Sequence, residues 1–104
     1  METEFLYELS KAILFLKPDR ALIFGSFAED GFFHNDLDLL IVSEVFNDYF
    51  WQDRIKLLNL PTGYIYDTRL YTPKEFKNLL PITNPLRQSI ERCHIDLEDY
   101  YDNI

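Results

Sequence analysis

The sequence predicts an α/β (α+β) domain in which helices flank a small mixed β-sheet. Apolar runs typical of strands alternate with segments of helical periodicity, but a loop alone joins the first two strands. This order favours a mixed sheet with helices on one or both faces over a uniformly parallel sheet. The length of 104 residues fits a single domain over residues 1–104.

Four elements are predicted in the first half of the chain. Apolar residues at helical spacing indicate a helix over 3–17. The run RALIF at 20–24 predicts a buried strand, and FAEDGFFHN at 27–35 predicts a loop, with a loop that contains one helical turn as the alternative. DLDLLIVS at 36–43 is expected to be the second strand.

Residues 46–58 are expected to form a helix, and GYIYDTRLY at 63–71 is expected to form the third strand. Several aromatic residues flank the second strand: Phe32, Phe33, Phe46, Tyr49, Phe50 and Trp51. Core packing is the leading interpretation of this set. An exposed apolar patch that binds a partner is the alternative.

Capping residues predict two further helices after the third strand. Thr72 and Glu75 form a capping box with Pro73 at the first helical position, and Asn84, followed by proline, begins the next helix. CHIDL at 93–97 fits either a fourth short strand or a continuation of that helix. The tail after it is expected to be solvated.

The composition limits the classes of partner. A net charge of -8 disfavours tight non-specific binding of nucleic acid or of an anionic membrane surface. It does not exclude a nucleotide whose phosphates arrive bound to a metal ion. The single cysteine, Cys93, excludes an intramolecular disulfide. Because the sequence shows neither a signal peptide nor an apolar run of membrane-spanning length, we expect a soluble cytoplasmic protein.

Asp36 and Asp38 place two carboxylates inside the apolar second strand. Side chains at i and i+2 leave the same face of a strand, so these two are expected to project side by side while Leu37 and Leu39 point into the core. Adjacent like charges raise each other's pKa unless a cation lies between them, and Mg²⁺ prefers such oxygen ligands. A polar strand face that carries two aspartates is the alternative interpretation.

Two further features give this pair a context. Gly25-Ser26 follows the first strand, and the backbone amides and serine hydroxyl of such a pair can cradle phosphate oxygens. An ordinary turn is the alternative. Asp67 shares a face of the third strand with Arg69. It is either a third metal ligand and general base, or one half of a surface pair with Arg69.

In combination, Gly25-Ser26 after a strand, Asp36 and Asp38 in the next, and Asp67 in a later strand resemble the nucleotidyltransferase superfamily of DNA polymerase β. Within it, the chain looks like the minimal nucleotidyltransferase domains, and the resemblance includes the segments IYDTRLYTPKEF and NPLRQSIE. It implies the polymerase β-like fold. It also implies transfer of a nucleoside monophosphate, AMP from ATP, to an acceptor hydroxyl with release of pyrophosphate.

The resemblance also implies a role for each residue. Gly25 and Ser26 would hold the triphosphate of the ATP substrate. Asp36, Asp38 and Asp67 would be the catalytic residues and bind two Mg²⁺ ions, and Asp67 would help to deprotonate the acceptor. Because the chain is short for a domain that grips an extended nucleic acid, the expected acceptor is a protein or a small molecule. The resemblance implies a tyrosine of a HEPN-domain toxin in a toxin–antitoxin pair. A homo-oligomer is the other expected assembly.

The chain departs from the family pattern after Gly-Ser. Where members often carry arginines, residues 27–31 include two acids and no base, and Asn35 replaces the serine usual before D-x-D. Four residues elsewhere are candidates to restore the positive charge: Lys11, Lys17, Arg20 and Arg69. The departure supports an alternative function, a weakly active or inactive module that binds and neutralises or scaffolds a partner protein. An unrelated α/β domain with surface aspartates is the third interpretation.

Overall fold

A computed structural model describes residues 2–31, 35–79 and 84–103. The strands are β1 (Arg20–Phe24), β2 (Asp36–Val42), β3 (Ile65–Tyr71) and β4 (His94–Asp96). The α-helices are α1 (Glu2–Ile13), α2 (Ser26–Asp30), α3 (Pro73–Asn78) and α4 (Pro85–Arg92). Short 3-10 segments cover Leu14–Leu16, Glu44–Asp48, Trp51–Leu57 and Leu97–Asn103.

The four strands form one mixed sheet in the order β3-β2-β1-β4. β1 pairs antiparallel with β2 and β4, whereas β2 and β3 run parallel. A parallel pair needs a long connection, which residues 43–64 provide, whereas antiparallel neighbours need only a loop. The predicted mixed sheet with flanking helices is confirmed, and the CHIDL segment contains a strand rather than a continued helix.

The sheet separates two apolar layers. On its first face, the apolar stripe of α1 packs against alternate residues of β1 and β2, including Leu37 and Leu39. On its second face, Leu40 and neighbouring apolar residues lie beneath Ile90 of α4. Because strand side chains alternate, Asp36 and Asp38 share this second face with Leu40. The predicted burial of Leu37 and Leu39 is confirmed, since they are 2% and 0% exposed.

The prediction of one helix over 46–58 is wrong. The chain forms two 3-10 segments, interrupted where Tyr49 and Phe50 adopt extended conformations. Phe46 is fully buried, whereas Phe50 and Trp51 are 76% and 77% exposed, so no single helical face buries them together. Core packing therefore holds for Phe46 but not for Phe50 or Trp51. Phe32 and Phe33 lie outside the described residues.

The prediction of a solvated tail after CHIDL holds for Glu98 and Asp99 but is wrong for Tyr100 and Tyr101, which are partly buried. Leu97 is fully buried, and its carbonyl oxygen accepts a hydrogen bond of 3.1 Å from Ser10 Oγ in α1. The rings of Tyr100 and Tyr7 pack edge to face at 5.2 Å. These contacts hold the segment after β4 against α1. No helix among the described residues has the length and apolar character needed to cross a membrane.

Arg54 joins three elements at the outer edge of β3. Its guanidinium is buried and donates to the Leu70 carbonyl oxygen at 2.9 Å and to both carboxylate oxygens of Glu75, at 2.6 and 3.1 Å. Glu75 also completes the predicted capping box with Thr72 at the start of α3. The hydrogen bond from Arg54 is the main cause that lowers the pKa of Glu75.

Replacing Arg54 with methionine is expected to lower the free energy of unfolding by about 2 kcal/mol, because the Leu70 carbonyl and Glu75 lose their charged donor. Urea unfolding followed by circular dichroism measures the loss. Lys56→Met is the matched control, since the Lys56–Asp53 pair is largely exposed and is worth about 0.5 kcal/mol or less. Equal losses in the two variants would contradict a structural role for Arg54.

Candidate functional site

The parallel register of β2 and β3 gathers three carboxylates at one end of the sheet. Asp38 lies directly opposite Asp67, and Asp36 lies opposite Ile65. Since alternate residues share a face, the three aspartates lie on the second face. Together with Ser26 they line a cavity of about 320 Å³. The structure therefore brings Ser26 and the three aspartates proposed from the sequence into one place.

Gly25 allows the close approach of Asp38 to the start of α2. Its backbone has φ 75° and ψ -153°, a conformation that is essentially restricted to glycine. A Cβ atom at this position would overlap Oδ2 of Asp38. The register explains the proximity, because Asp38 pairs with Phe24, the residue before Gly25. The glycine is thus required both by the backbone conformation and by the neighbouring carboxylate.

The electrostatics of the cavity centre on Asp38. Partial burial, followed by the charge of Asp67, a hydrogen bond with Asp67 and the charge of Asp36, raises the pKa of Asp38 above its ordinary value of 3.8. Arg69 acts in the opposite direction. Carboxylates held this close repel one another, and a cation between them removes the conflict. The carboxylate oxygens of Asp36 and Asp38 thus fit a hard divalent cation such as Mg²⁺.

Asp67 is engaged with a cation of the protein itself. Its Oδ1 accepts a hydrogen bond of 3.3 Å from Arg69 Nη1, and both side chains are partly exposed. This is the surface pair that the sequence offered as the alternative for Asp67. In the described parts of the chain, no three His, Cys, Asp or Glu side chains are assembled into a metal-binding group. Arg69 therefore competes with a metal ion for the Asp67 carboxylate.

Of the four basic residues suggested by the sequence, Arg69 lies beside the aspartates. Lys11 belongs to α1 and Lys17 follows its 3-10 extension, and neither lines the cavity that Ser26 shares with the aspartates. Arg20 lines a different cavity of about 390 Å³, between α3 and α4. Lys11, Lys17 and Arg20 therefore do not restore positive charge next to Ser26.

Sequence reasoning missed Arg92, the last residue of α4. Its Nε lies 3.0 Å from Oε1 of Glu29 in α2, which begins at Ser26. A guanidinium thus lies against the helix in which the sequence contains only acidic charges. Local sequence gives no signal for this contact. It depends on how α4 packs over the sheet.

A larger groove adjoins the aspartates on the outer side of β3. It has a volume of about 820 Å³ and is lined by residues of the Trp51–Leu57 segment, the end of β3 and α3. Trp51 and Ile55 in its wall are 77% and 44% exposed. The groove contains none of the three aspartates, but Arg69, which binds Asp67, forms part of its lining.

Comparisons with protein-family models, curated proteins and solved structures found no match for this chain. The resemblance to the nucleotidyltransferase superfamily therefore stays a prediction from the residues. The candidate site rests on the positions of Gly25, Ser26 and the three aspartates.

Gly25→Ala is expected to destabilise the protein by about 3 kcal/mol, because backbone strain and overlap with Asp38 add together. Gly63→Ala is the control: its φ is 98°, but among the described residues other than its chain neighbours no atom lies within 4 Å of the added Cβ, so about 1 kcal/mol is expected from strain alone. Thermal unfolding measures both losses. Adding Asp38→Ala should recover part of the Gly25→Ala loss. Equal losses at the two glycines would contradict the close packing of Asp38.

Asp38→Asn is expected to stabilise the metal-free protein at pH 7. Because the folded pKa of Asp38 is raised, the folded state favours the protonated carboxyl, and that contribution to stability is lost as the pH rises through the folded pKa. Asparagine carries no charge to be lost or gained, so it avoids this loss of stability. The stability gain of Asp38→Asn over the unmodified protein should therefore shrink as the pH falls towards 3.8. Unfolding in EDTA across this range measures it. A destabilised variant at pH 7 would refute the repulsion among the aspartates.

Proposed function

We propose that this protein is a metal-dependent nucleotidyltransferase that transfers AMP from ATP to a hydroxyl group of a partner protein. The observation that carries the proposal is the convergence of Asp36, Asp38 and Asp67 on one face of the sheet beside Gly25 and Ser26. Neighbouring carboxylates that raise a pKa are costly to a fold, and perturbed groups of this kind concentrate at functional sites.

Each residue of the site has a chemical task in this reaction. Asp36 and Asp38 would hold divalent metal, which would supply positive charge to the phosphates and to the attacking and leaving oxygens. Ser26 and the Gly25 backbone receive the phosphate chain. Asp67 accepts the proton of the acceptor hydroxyl. The hydroxyl oxygen bonds to the α-phosphorus while the bond from that phosphorus to the bridging oxygen breaks, and pyrophosphate leaves.

The groove beside Arg69 supports a protein as the acceptor. Its lining includes Arg69, which is bonded to Asp67, and it carries exposed Trp51 and Ile55, so a protein bound there would lie near the aspartates. A tyrosine of a HEPN-domain partner, as implied by the sequence resemblance, supplies the hydroxyl that the reaction requires. Because Arg69 lines the groove and also bonds to Asp67, it connects the groove to the site. This connection supports a protein as the acceptor.

A second candidate function is a binding module that neutralises its partner by contact. Two observations favour it: Glu29 adds negative charge one turn after Ser26, and the Asp67 carboxylate accepts a hydrogen bond from Arg69. A domain of this kind would use the groove without the reaction. The two functions differ in whether the aspartates are needed.

Incubation with α-phosphate-labelled ATP, Mg²⁺ and the partner protein is expected to label that partner. Asp36→Asn and Asp38→Asn should each reduce the rate at least about 100-fold, because charge neutralisation at the phosphates is lost. Asp53→Asn, at an exposed pair with Lys56, is the control and should retain the rate. EDTA should abolish labelling of the partner.

Two outcomes would contradict the proposed nucleotidyltransferase activity. Labelling that persists in both Asp36→Asn and Asp38→Asn would place the reaction elsewhere. A tight complex that forms without labelling, and is unchanged by these substitutions, would establish the binding module instead. Gel filtration of the mixture, run alongside the labelling assay, separates the second outcome from a simple failure to bind.

A further inference from the structure

The region around Ser26 needs a cation if it receives phosphate. The chain carries a net charge of -8, and α2 places Glu29 only three residues after Ser26. A nucleoside triphosphate is itself strongly anionic, and metal held by Asp36 and Asp38 offsets part of that charge. A basic side chain near Ser26 would offset more of it.

The path of α4 brings Arg92 to α2, the helix that begins at Ser26, although Arg92 does not itself line the cavity. Ile90 packs onto the second-face layer that includes Phe24. His94, two residues after Arg92, pairs with Phe24 in the antiparallel register of β1 and β4. Since Gly25 follows Phe24 directly, the end of α4 lies beside the turn that leads into α2. The three elements that meet there are α4, β1 and α2.

Arg92 is held at this position by a weak pair. Its Nε lies 3.0 Å from Oε1 of Glu29, and the two side chains are 77% and 40% exposed. Exposed pairs of this kind contribute about 0–1 kcal/mol, so Arg92 can exchange partners at little cost. Ser26 and Glu29 are three residues apart in α2 and so lie on the same side of the helix. A guanidinium bonded to Glu29 is thus about one turn from Ser26.

We propose that Arg92 binds the phosphates of the nucleotide, in place of the arginines that are missing after Gly25-Ser26, and that Glu29 is its partner in the absence of nucleotide. The planar guanidinium can bond two phosphate oxygens at once. The ligand is a nucleoside triphosphate bound as its magnesium complex. This inference rests on the proposed function, and it gives that function a basic residue contributed by a distant part of the chain.

The proposal makes opposite predictions for the two members of the pair. Arg92→Gln should weaken binding of Mg²⁺–ATP about 10-fold, which is about 1.4 kcal/mol, because a charged contact to phosphate is lost. Glu29→Gln should strengthen binding a few-fold, because it removes a competing partner and a repulsive charge. A pair with only a structural role would shift affinity in the same direction in both variants.

Titration with a fluorescent ATP analogue in Mg²⁺ gives these affinities. Arg87→Gln is the matched control, since Arg87 lies on the same helix and pairs with Glu91 at 2.8 Å. It should bind as the unmodified protein does. Arg92→Lys should recover part of the affinity, and an adenosine analogue without phosphates should not distinguish Arg92→Gln from the unmodified protein. Circular dichroism verifies that each variant is folded.

The outcomes separate this inference from the proposed function. Unmodified protein that binds Mg²⁺–ATP, with affinity lost in Asp38→Asn but kept in Arg92→Gln, overturns the role of Arg92 alone. Unmodified protein that fails to bind Mg²⁺–ATP overturns both. Weaker binding in Arg92→Gln together with tighter binding in Glu29→Gln supports the assignment of Arg92 to the phosphates.

Discussion

The site depends on the register between β2 and β3. In that parallel pair, Asp38 lies beside Asp67 on the same face of the sheet. Leu37 and Leu39 are buried in the core on the opposite face. A shift of one residue in β2 would bury the carboxylates and expose the leucines, so the apolar layer fixes the position of the acids. Hydrophobic packing on one face therefore holds like charges together on the other.

Gly25 and Arg69 reduce the cost of holding those charges together. Gly25 leaves room for the Asp38 carboxylate at the end of β1, and Arg69 partly offsets the negative charge through Asp67. Even so, the pKa of Asp38 remains raised. Natural proteins commonly accept such a loss of stability at functional sites. The same carboxylates that weaken the metal-free fold are the ones that the proposed chemistry requires.

Features fixed by local sequence were predictable, whereas those set by packing were not. Alternation along β2 predicted the burial of Leu37, and capping chemistry predicted the start of α3. The helix predicted over 46–58 is interrupted where Tyr49 and Phe50 are extended, and Arg54 after the break bonds to a distant strand and helix, a contact that local periodicity does not report. Arg92 reaches Glu29 only after α4 folds over the sheet, a contact between residues 63 positions apart that no local pattern encodes.

A crystal structure of the protein with Mn²⁺ and a non-hydrolysable ATP analogue tests the central claim most directly. Anomalous scattering locates the manganese without reference to the rest of the map. We expect manganese between the carboxylates of Asp36 and Asp38, with the phosphate chain of the analogue against Gly25 and Ser26. Manganese and nucleotide bound away from Asp36 and Asp38, or neither bound in crystals soaked to saturation, would contradict a nucleotidyltransferase site.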